Sequence, residues 1–306
     1  MYDSIIIGGG PCGLTAALYL RRANKSVLVL EKYMPGGQMA QTTDIENYPG
    51  EIKIDGFDLT QKMVNQCNNL GVEFKYEEVV SCELLGDVKN IKTHQAEYQS
   101  RTVIICTGAY ARPLEVENEK KYIGKGLSYC ATCDGNFFKN KTVAVVGGGN
   151  TGLEDCLYLS GVANKVYLIH RRDKFRGDDI TVNKIFALEK AGKIELVLNC
   201  VIESIQGTQT LENINVKDLV TGEVKQLKTD GLFVAIGRKP DTGFLQGIKV
   251  DNAGYIITDE KMSTNIAGVY AGGDVRNTPF RQIVTACSDG AIASVSVLNY
   301  LAKQSN

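Results

Sequence analysis

One phrase, written twice, limits what this chain can fold into. The first copy leads from an apolar run at residues 4–7 into Gly8-Gly9-Gly10-Pro11-Cys12-Gly13, and then into residues 14–20, which have helical character. The second leads from residues 142–146 into Gly147-Gly148-Gly149-Asn150-Thr151-Gly152 and on through residues 153–159. Each reads as strand, tight glycine turn and helix. Such a turn needs no side chain at its first glycine, close approach of a pyrophosphate at its third, and close helix-to-strand packing at its last; the free N–H groups of the helix start then face the phosphates.

The two copies differ where a ribose would lie. A strand expected at residues 26–30 ends on Glu31, whose carboxylate can accept a hydrogen bond from a 2′-hydroxyl. Position 170 stands as far from Gly147 as position 31 does from Gly8, and there the chain reads His170-Arg171-Arg172, with Arg176 close behind. A 2′-phosphate is repelled by a carboxylate and suits guanidinium forks. A lone glycine motif is weak, because such turns also occur without ligands. Two in register, each with a suitable residue at the matched position, are stronger. His170 itself reads as a phosphate neighbour and not as a catalytic group.

The expected fold class is therefore α/β, with two Rossmann-like three-layer nucleotide-binding domains, the second inserted into the first. Each module closes on an apolar strand that meets a glycine and then a proline: Gly108 and Arg112-Pro113, then Gly237 and Arg238-Lys239-Pro240. Proline cannot extend a central strand. Taken as crossings, these give one domain of residues 1–112 and 244–306 and another of 113–243. A length of 306 residues suits two domains at roughly 150 residues each. Shorter strand-like runs at 91–93 and 213–218, with a turn at 220–223, suggest small antiparallel excursions.

Two further segments call for explanation. The C-terminal return reads Gly272-Gly273-Asp274 and then Arg281-Gln282-Ile283, which opens an apolar-striped helix ending near Ala302. It offers a carboxylate for a polyol and N–H groups for a ring edge, and reads equally well as an ordinary Gly-Asp turn. Gly36-Gly37-Gln38 and Asn47-Tyr48-Pro49-Gly50 lie in a stretch of about 25 residues with little periodic pattern, and loops that long are usually functional.

Composition narrows the chemistry. With 34 Lys plus Arg against 35 Asp plus Glu and no long charged block, neither a nucleic-acid nor an anionic-membrane partner is suggested. No apolar run approaches the roughly 18 residues of a membrane span, and no basic segment precedes the first apolar stretch, so the expectation is a cytoplasmic protein. Only His94 and His170 are available to a histidine metal centre or a hydrolase triad, and no metal site is expected. The nine cysteines are odd in number and mostly isolated, unlike a secreted disulfide framework.

The exception is Cys130-Ala131-Thr132-Cys133-Asp134. Two-residue spacing lets two thiols close and reopen a small ring, and commonly lowers one thiol's pKa. Zinc would need four ligands, and neither a second Cys-x-x-Cys nor a histidine pair accompanies this one; an inert buried pair is the other reading. Asp134 either moves protons for the exchanging thiolate or simply begins a turn with Gly135. A hydride carries two electrons and a disulfide takes two. A flavin couples them, so FAD is the expected occupant of the first site and a 2′-phosphorylated nicotinamide, NADPH, of the second.

These motifs, together with Glu46-Asn47-Tyr48-Pro49-Gly50 and His-Arg-Arg-Asp-Lys-Phe-Arg at 170–176, closely resemble the low-molecular-weight bacterial thioredoxin reductases over essentially the full chain. The Cys-Ala-Thr-Cys-Asp and His-Arg-Arg boxes are the most specific elements. The resemblance implies a homodimer that reduces thioredoxin through Cys130 and Cys133, with Asp134 assisting, and an inserted domain that swings on a two-stranded hinge. It implies FAD on Gly8, Gly10, Pro11, Gly13, Glu31, Gly37, Gln38, Asn47, Val80, Asp274, Arg281, Gln282 and Ile283. NADPH would lie on Gly147, Gly149, Asn150, Thr151, Glu154, His170, Arg171, Arg172, Arg176 and Arg238. Cys12 and Gly152 stand where the family usually has alanine, and Asp155-Cys156 replaces a usual Glu-Ala. The alternatives are a related flavoenzyme that takes electrons from ferredoxin or passes them to another disulfide protein, and a non-catalytic redox-sensing binder.

Overall fold

The computed structural model describes residues 1–41, 45 and 47–304, apart from the side chains of Gln41 and Cys133. The chain forms two compact units: Met1–Tyr110 with Lys239–Asn306, and Ala111–Arg238. The second is thus an insertion within the first.

In the first unit the strands Glu73–Tyr76, Val27–Glu31, Tyr2–Ile7 and Glu97–Ile105 lie side by side and parallel. The last of these is shared along its far edge. Its early residues pair antiparallel with Lys89–Thr93, which continues into Val79–Glu83, and its end pairs parallel with Val269–Ala271. Because side chains alternate across a strand, each strand feeds two cores. Ile6, Val29 and Ile104 pack with Leu14 and Leu20 of the helix Pro11–Arg22 and with Val297 of the helix Ile283–Gln304. Ile5, Ile7, Leu28 and Val103 face the other way, onto Val79, Ile91 and Val275.

The second unit repeats the plan with an all-parallel sheet in the order Ile194–Leu198, Lys165–His170, Thr142–Val146, Gly231–Val234 and Leu127–Ser128. Val143 and Val145 pack on Leu153, Leu159 and Ile185 of the helices Asn150–Val162 and Asp179–Lys190. Ala144 and Val146 face Ile202, Ile214 and Leu227 of an antiparallel sheet, Cys200–Gln206, Asn213–Asp218 and Val224–Lys228. Its last hairpin closes at 220–223, where Asp218 N donates to Glu223 O at 2.9 Å and Gly222 takes φ +78°.

Where the chain passes between units, Ala109–Ala111 and Arg238–Pro240 form a two-stranded sheet. Residues 239–243, grouped with the insert when Pro240 is taken as the marker, pack with the first unit. Thr107 Oγ1 donates to Asp241 O at 2.8 Å, and Asp241 N donates to Gly108 O at 3.3 Å. A proline ends a ladder but does not decide which core the next residues join.

Lys89, 1% exposed, is among the largest fully buried side chains of the described residues. Its Nζ donates to Leu84 O at 2.9 Å, Gly86 O at 2.5 Å and Ala267 O at 2.8 Å, so the ammonium is fully satisfied by carbonyls. Lys89→Met keeps the stem and leaves three carbonyls without their donor. It should lower the unfolding free energy by about 2–3 kcal/mol in urea titrations; an unchanged midpoint would mean that these bonds add nothing net.

Candidate functional site

The first glycine turn separates two kinds of glycine. Gly8 has φ +104°, and a Cβ there would lie 2.4 Å from Cys106 O; at Gly13 it would lie 1.9 Å from Gly8 O. The protein's own backbone therefore requires both. A Cβ at Gly10 would meet no atom within 4 Å, so packing places no demand on that position. Gly10 precedes the helix Pro11–Arg22, and its carbonyl accepts from Leu14 N at 2.9 Å. A pyrophosphate approaching a helix start needs this arrangement.

The loop after Glu31 closes on the same turn. Gly36 N donates to Gly9 O at 2.8 Å, and a Cβ on Gly37, at φ +55°, would come within 3.8 Å of Gly10 Cα. Gln38 Nε2 donates to Ala109 O. The stretch has little periodic pattern in sequence, yet it contains a 3-10 turn, Met39–Gln41, and a bridge between Ile45 and Ile54. Glu46 lies outside the described residues. Glu31 accepts from Gly9 N through Oε2 at 2.7 Å and from Tyr33 N through Oε1 at 2.9 Å, which orients its carboxylate. It borders a cavity of about 430 Å³ that Gly8, Lys32, Val80, His94 and Thr107 also line, a size suited to part of a nucleotide.

Asn47 Nδ2 donates to Gln282 Oε1 at 3.0 Å, joining two expected site residues far apart in sequence. The C-terminal helix begins at Ile283, with Gln282 O accepting from Ala286 N at 3.0 Å and Arg281 just before it. The Arg281 guanidinium sits 4.1 Å from the Tyr255 ring centroid, and Asp274 lies in the short turn Gly273–Val275. That turn is held by Asp289, 5% exposed, which accepts from Gly273 N at 2.9 Å, Arg276 Nε at 2.7 Å and Arg276 Nη2 at 3.0 Å. Sequence reasoning missed both members of this ion pair. The only available signal was a carboxylate interrupting an apolar helical stripe.

The second glycine turn follows the same rules. A Cβ at Gly147 would lie 2.1 Å from Ala235 O and at Gly152 2.5 Å from Gly147 O, whereas Gly149 has nothing within 4 Å. Asn150 Oδ1 accepts from Asp178 N at 3.0 Å and Arg176 N donates to Gly148 O at 2.7 Å, so the basic loop is pinned to the turn. Arg171, Arg172 and Arg176 are exposed there, as are Thr151, Glu154 and Arg238. His170 behaves differently from its arginine neighbours. It is 5% exposed, a Cβ at Gly148 would touch its ring at 2.5 Å, and Phe175 stacks on it at 5.7 Å. Nε2 lies 3.1 Å from Lys174 O, and a carbonyl only accepts, so Nε2 carries the proton. Burial pushes the ring's pKa down, with the nearby arginines adding to the shift, and the imidazole is neutral at pH 7.

Cys130 is disulfide-bonded; the side chain of Cys133 lies outside the described residues. The short helix Ala131–Asp134 starts where Cys130 N donates to Ser128 Oγ at 3.0 Å, and Asp134 N donates to Cys130 O at 3.2 Å. The preceding residue is tethered too: Tyr129 OH donates to the buried Glu119 carboxylate, which also accepts from Leu114 N at 2.8 Å and Glu115 N at 2.9 Å. A Cβ at Gly135 would meet the Tyr158 ring at 2.7 Å. The Cys130 segment is thus seated on the helix Asn150–Val162, whose other end is the second glycine turn. Among the described residues no three His, Cys, Asp or Glu side chains gather as metal ligands.

The sequence profile of pyridine nucleotide-disulphide oxidoreductases matches residues 2–290. A thioredoxin reductase of Bacillus subtilis (strain 168) is 42% identical over 303 residues, 98% of this chain and 95% of the relative. The chain belongs to the thioredoxin reductases. The crystal structure of Lactococcus lactis thioredoxin reductase superposes with a TM-score of 0.86 at 42% identity, over 99% of this chain and 100% of that one. For the Streptococcus pyogenes MGAS5005 thioredoxin reductase the values are 0.74 and 43%, over 99% of each chain. The protein is accordingly a flavoprotein oxidoreductase of a family that works with a flavin and a nicotinamide nucleotide. Among the described residues no helix is long and apolar enough to cross a membrane.

Two outcomes are expected of this reductase. Gly13→Ala should cost at least about 2 kcal/mol of stability, whereas Gly10→Ala should stay within about 0.5 kcal/mol of wild type and yet release flavin more readily, as read by thermal melts and flavin retention on gel filtration. Asp155, in the helix Asn150–Val162, has its pKa raised to about 7 by burial, then by the Glu154 charge, with Arg238 opposing. Because the folded pKa is the higher one, its stabilising contribution is complete below about pH 4 and is lost as pH rises through 7. Asp155→Asn should therefore stabilise the protein by about 2 kcal/mol at pH 8, after discounting for partial exposure, and by nothing at pH 4; equal effects at both pH values would refute the assignment.

Proposed function

We propose that this reductase uses NADPH to reduce the disulfide of thioredoxin, with FAD as its resident flavin and Cys130 and Cys133 as the exchanging pair. FAD belongs on the first unit. The glycine turn at Gly8, Gly10, Pro11 and Gly13 takes its pyrophosphate, and the oriented Glu31 carboxylate accepts from a ribose hydroxyl. Gly37, Gln38, Asn47, Val80, Asp274, Arg281, Gln282 and Ile283 supply the remaining contacts. NADPH belongs on the second unit, with Gly147, Gly149, Asn150 and Thr151 at its phosphates and Glu154 and Arg238 beside them. The guanidinium forks of Arg171, Arg172 and Arg176 take the 2′-phosphate. His170 supports this loop from beneath through Lys174. When bound, a flavin accepts a hydride and delivers its electron pair to sulfur.

The residues of the chain then carry the exchange. One thiolate of the reduced pair attacks a sulfur of the partner's disulfide, forms a mixed disulfide and releases the partner's other sulfur as thiolate. The second cysteine attacks the first, frees the reduced partner and restores the Cys130–Cys133 bond. Asp134, in the same short helix, hands a proton to the leaving thiolate. The same reading makes the protein a cytoplasmic homodimer whose insert pivots on the paired segments Ala109–Ala111 and Arg238–Pro240. The observation that carries the proposal is the common seat of the dithiol helix and the second glycine turn on Asn150–Val162.

Anaerobic titration tests it. NADPH should bleach the yellow protein and NADH should do so poorly. Cys133→Ser should keep that bleaching and lose thioredoxin reduction, and the double change Arg171→Ala, Arg172→Ala should raise KM for NADPH about tenfold or more while leaving NADH unaffected. An unchanged KM together with ferredoxin-driven turnover would overturn NADPH as the donor.

A further inference from the structure

Two thiols outside the Cys130–Cys133 pair meet inside the first unit. Cys106 Sγ lies 3.1 Å from Cys12 Sγ, and both are free, at 6% and 3% exposure. About 1 Å of approach separates this contact from a sulfur–sulfur bond of about 2.05 Å. Cys12 stands in the first turn of the helix Pro11–Arg22. Cys106 follows the strand Glu97–Ile105; its N–H donates to Ile7 O at 2.8 Å, and its carbonyl is the atom against which Gly8 packs. On the other side, a Cβ at Gly272 would come within 2.7 Å of Cys12 Sγ. The pair therefore lies directly under the first glycine turn, with the backbone of Gly8 against Cys106 and that of Gly272 against Cys12. An isolated buried cysteine is a packing residue; here two of them face each other at hydrogen-bond distance.

We propose that Cys12 and Cys106 form a second redox pair, which closes into an intramolecular disulfide on exposure to a hydroperoxide and cross-links the helix start to the strand end beneath it. One thiol gives up its proton and attacks a peroxide oxygen as thiolate; the O–O bond breaks, leaving a sulfenic acid and a hydroxide that takes up that proton as water. The other thiolate attacks that sulfur; the S–S bond forms, the S–O bond breaks and a second water leaves. Two thiols and one hydrogen peroxide thus give one disulfide and two waters, with two electrons passing from sulfur to oxygen. The Cys106 thiol, then burial, hold the Cys12 pKa well above its ordinary value, with Asp289 and Cys287 of the helix Ile283–Gln304 adding to the shift. Cys12 is thereby kept protonated near neutral pH, so closure quickens as pH rises. This inference is independent of which nucleotides the protein binds.

Peptide mapping decides it. The reduced full-length protein is treated with hydrogen peroxide at pH 7 and pH 9, alkylated in denaturant with N-ethylmaleimide and digested. A linked peptide joining Cys12 to Cys106 is expected, forming faster at pH 9, reversed by dithiothreitol and absent from Cys106→Ala. Because the cross-link closes a long loop, the oxidised protein should also melt several degrees higher than the reduced one, a shift that Cys106→Ala loses. Equal alkylation of both cysteines with and without peroxide, irreversible sulfinic acid at either without linkage, or a link from Cys12 to Cys287 instead, would each overturn the proposal.

Discussion

Everything in this molecule is hung on the approach of one helix to one strand without a side chain between them. At Gly13 and at Gly152 the helix backbone rests on the carbonyl of the glycine that ends the strand, closer than any Cβ permits. That contact fixes where each helix begins, and so where its free N–H groups point. The last glycine is demanded by packing and the first by packing and a positive φ. Among the described residues no atom demands the third in either copy, a contrast that a merely tight turn does not require.

The two copies have diverged at the residue behind the turn. Glu31 bonds to Gly9 N and keeps spare acceptor capacity on both oxygens. His170 occupies the same place against Gly148, but its ring is buried and its Nε2 is committed to Lys174 O. The exposed side chains in the second copy are instead the arginines of a loop that the buried ring and the Arg176–Gly148 bond hold in place. One position carries a carboxylate beside a cavity in one copy and a buried ring under a loop in the other.

Buried carboxylates serve a related end at two other segments. Glu119 gathers two backbone N–H groups and the Tyr129 hydroxyl immediately before Cys130, and Asp289 gathers Gly273 N and the Arg276 guanidinium beneath the Asp274 turn. A carboxylate that accepts several hydrogen bonds in a low-dielectric setting tolerates little displacement, because losing any one of them leaves charge unpaired. Both short helical turns are thereby tied to the residues packed beneath them.

The sequence by itself determined the duplicated strand, turn and helix, the choice of Gly8, Gly13, Gly147 and Gly152, the nested order of the units and the isolated Cys-x-x-Cys pair. Each of these is written in short-range terms: alternation in a strand, a residue without a Cβ, a proline that stops a ladder, two-residue spacing. Only the tertiary structure decided that His170 is buried, that Lys89 is spent on three carbonyls, that Asn47 meets Gln282, that Asp289 pairs with Arg276, and that Cys12 touches Cys106. Those depend on which atoms come within about 3 Å across strands distant in the chain, and no local pattern of residues encodes that distance.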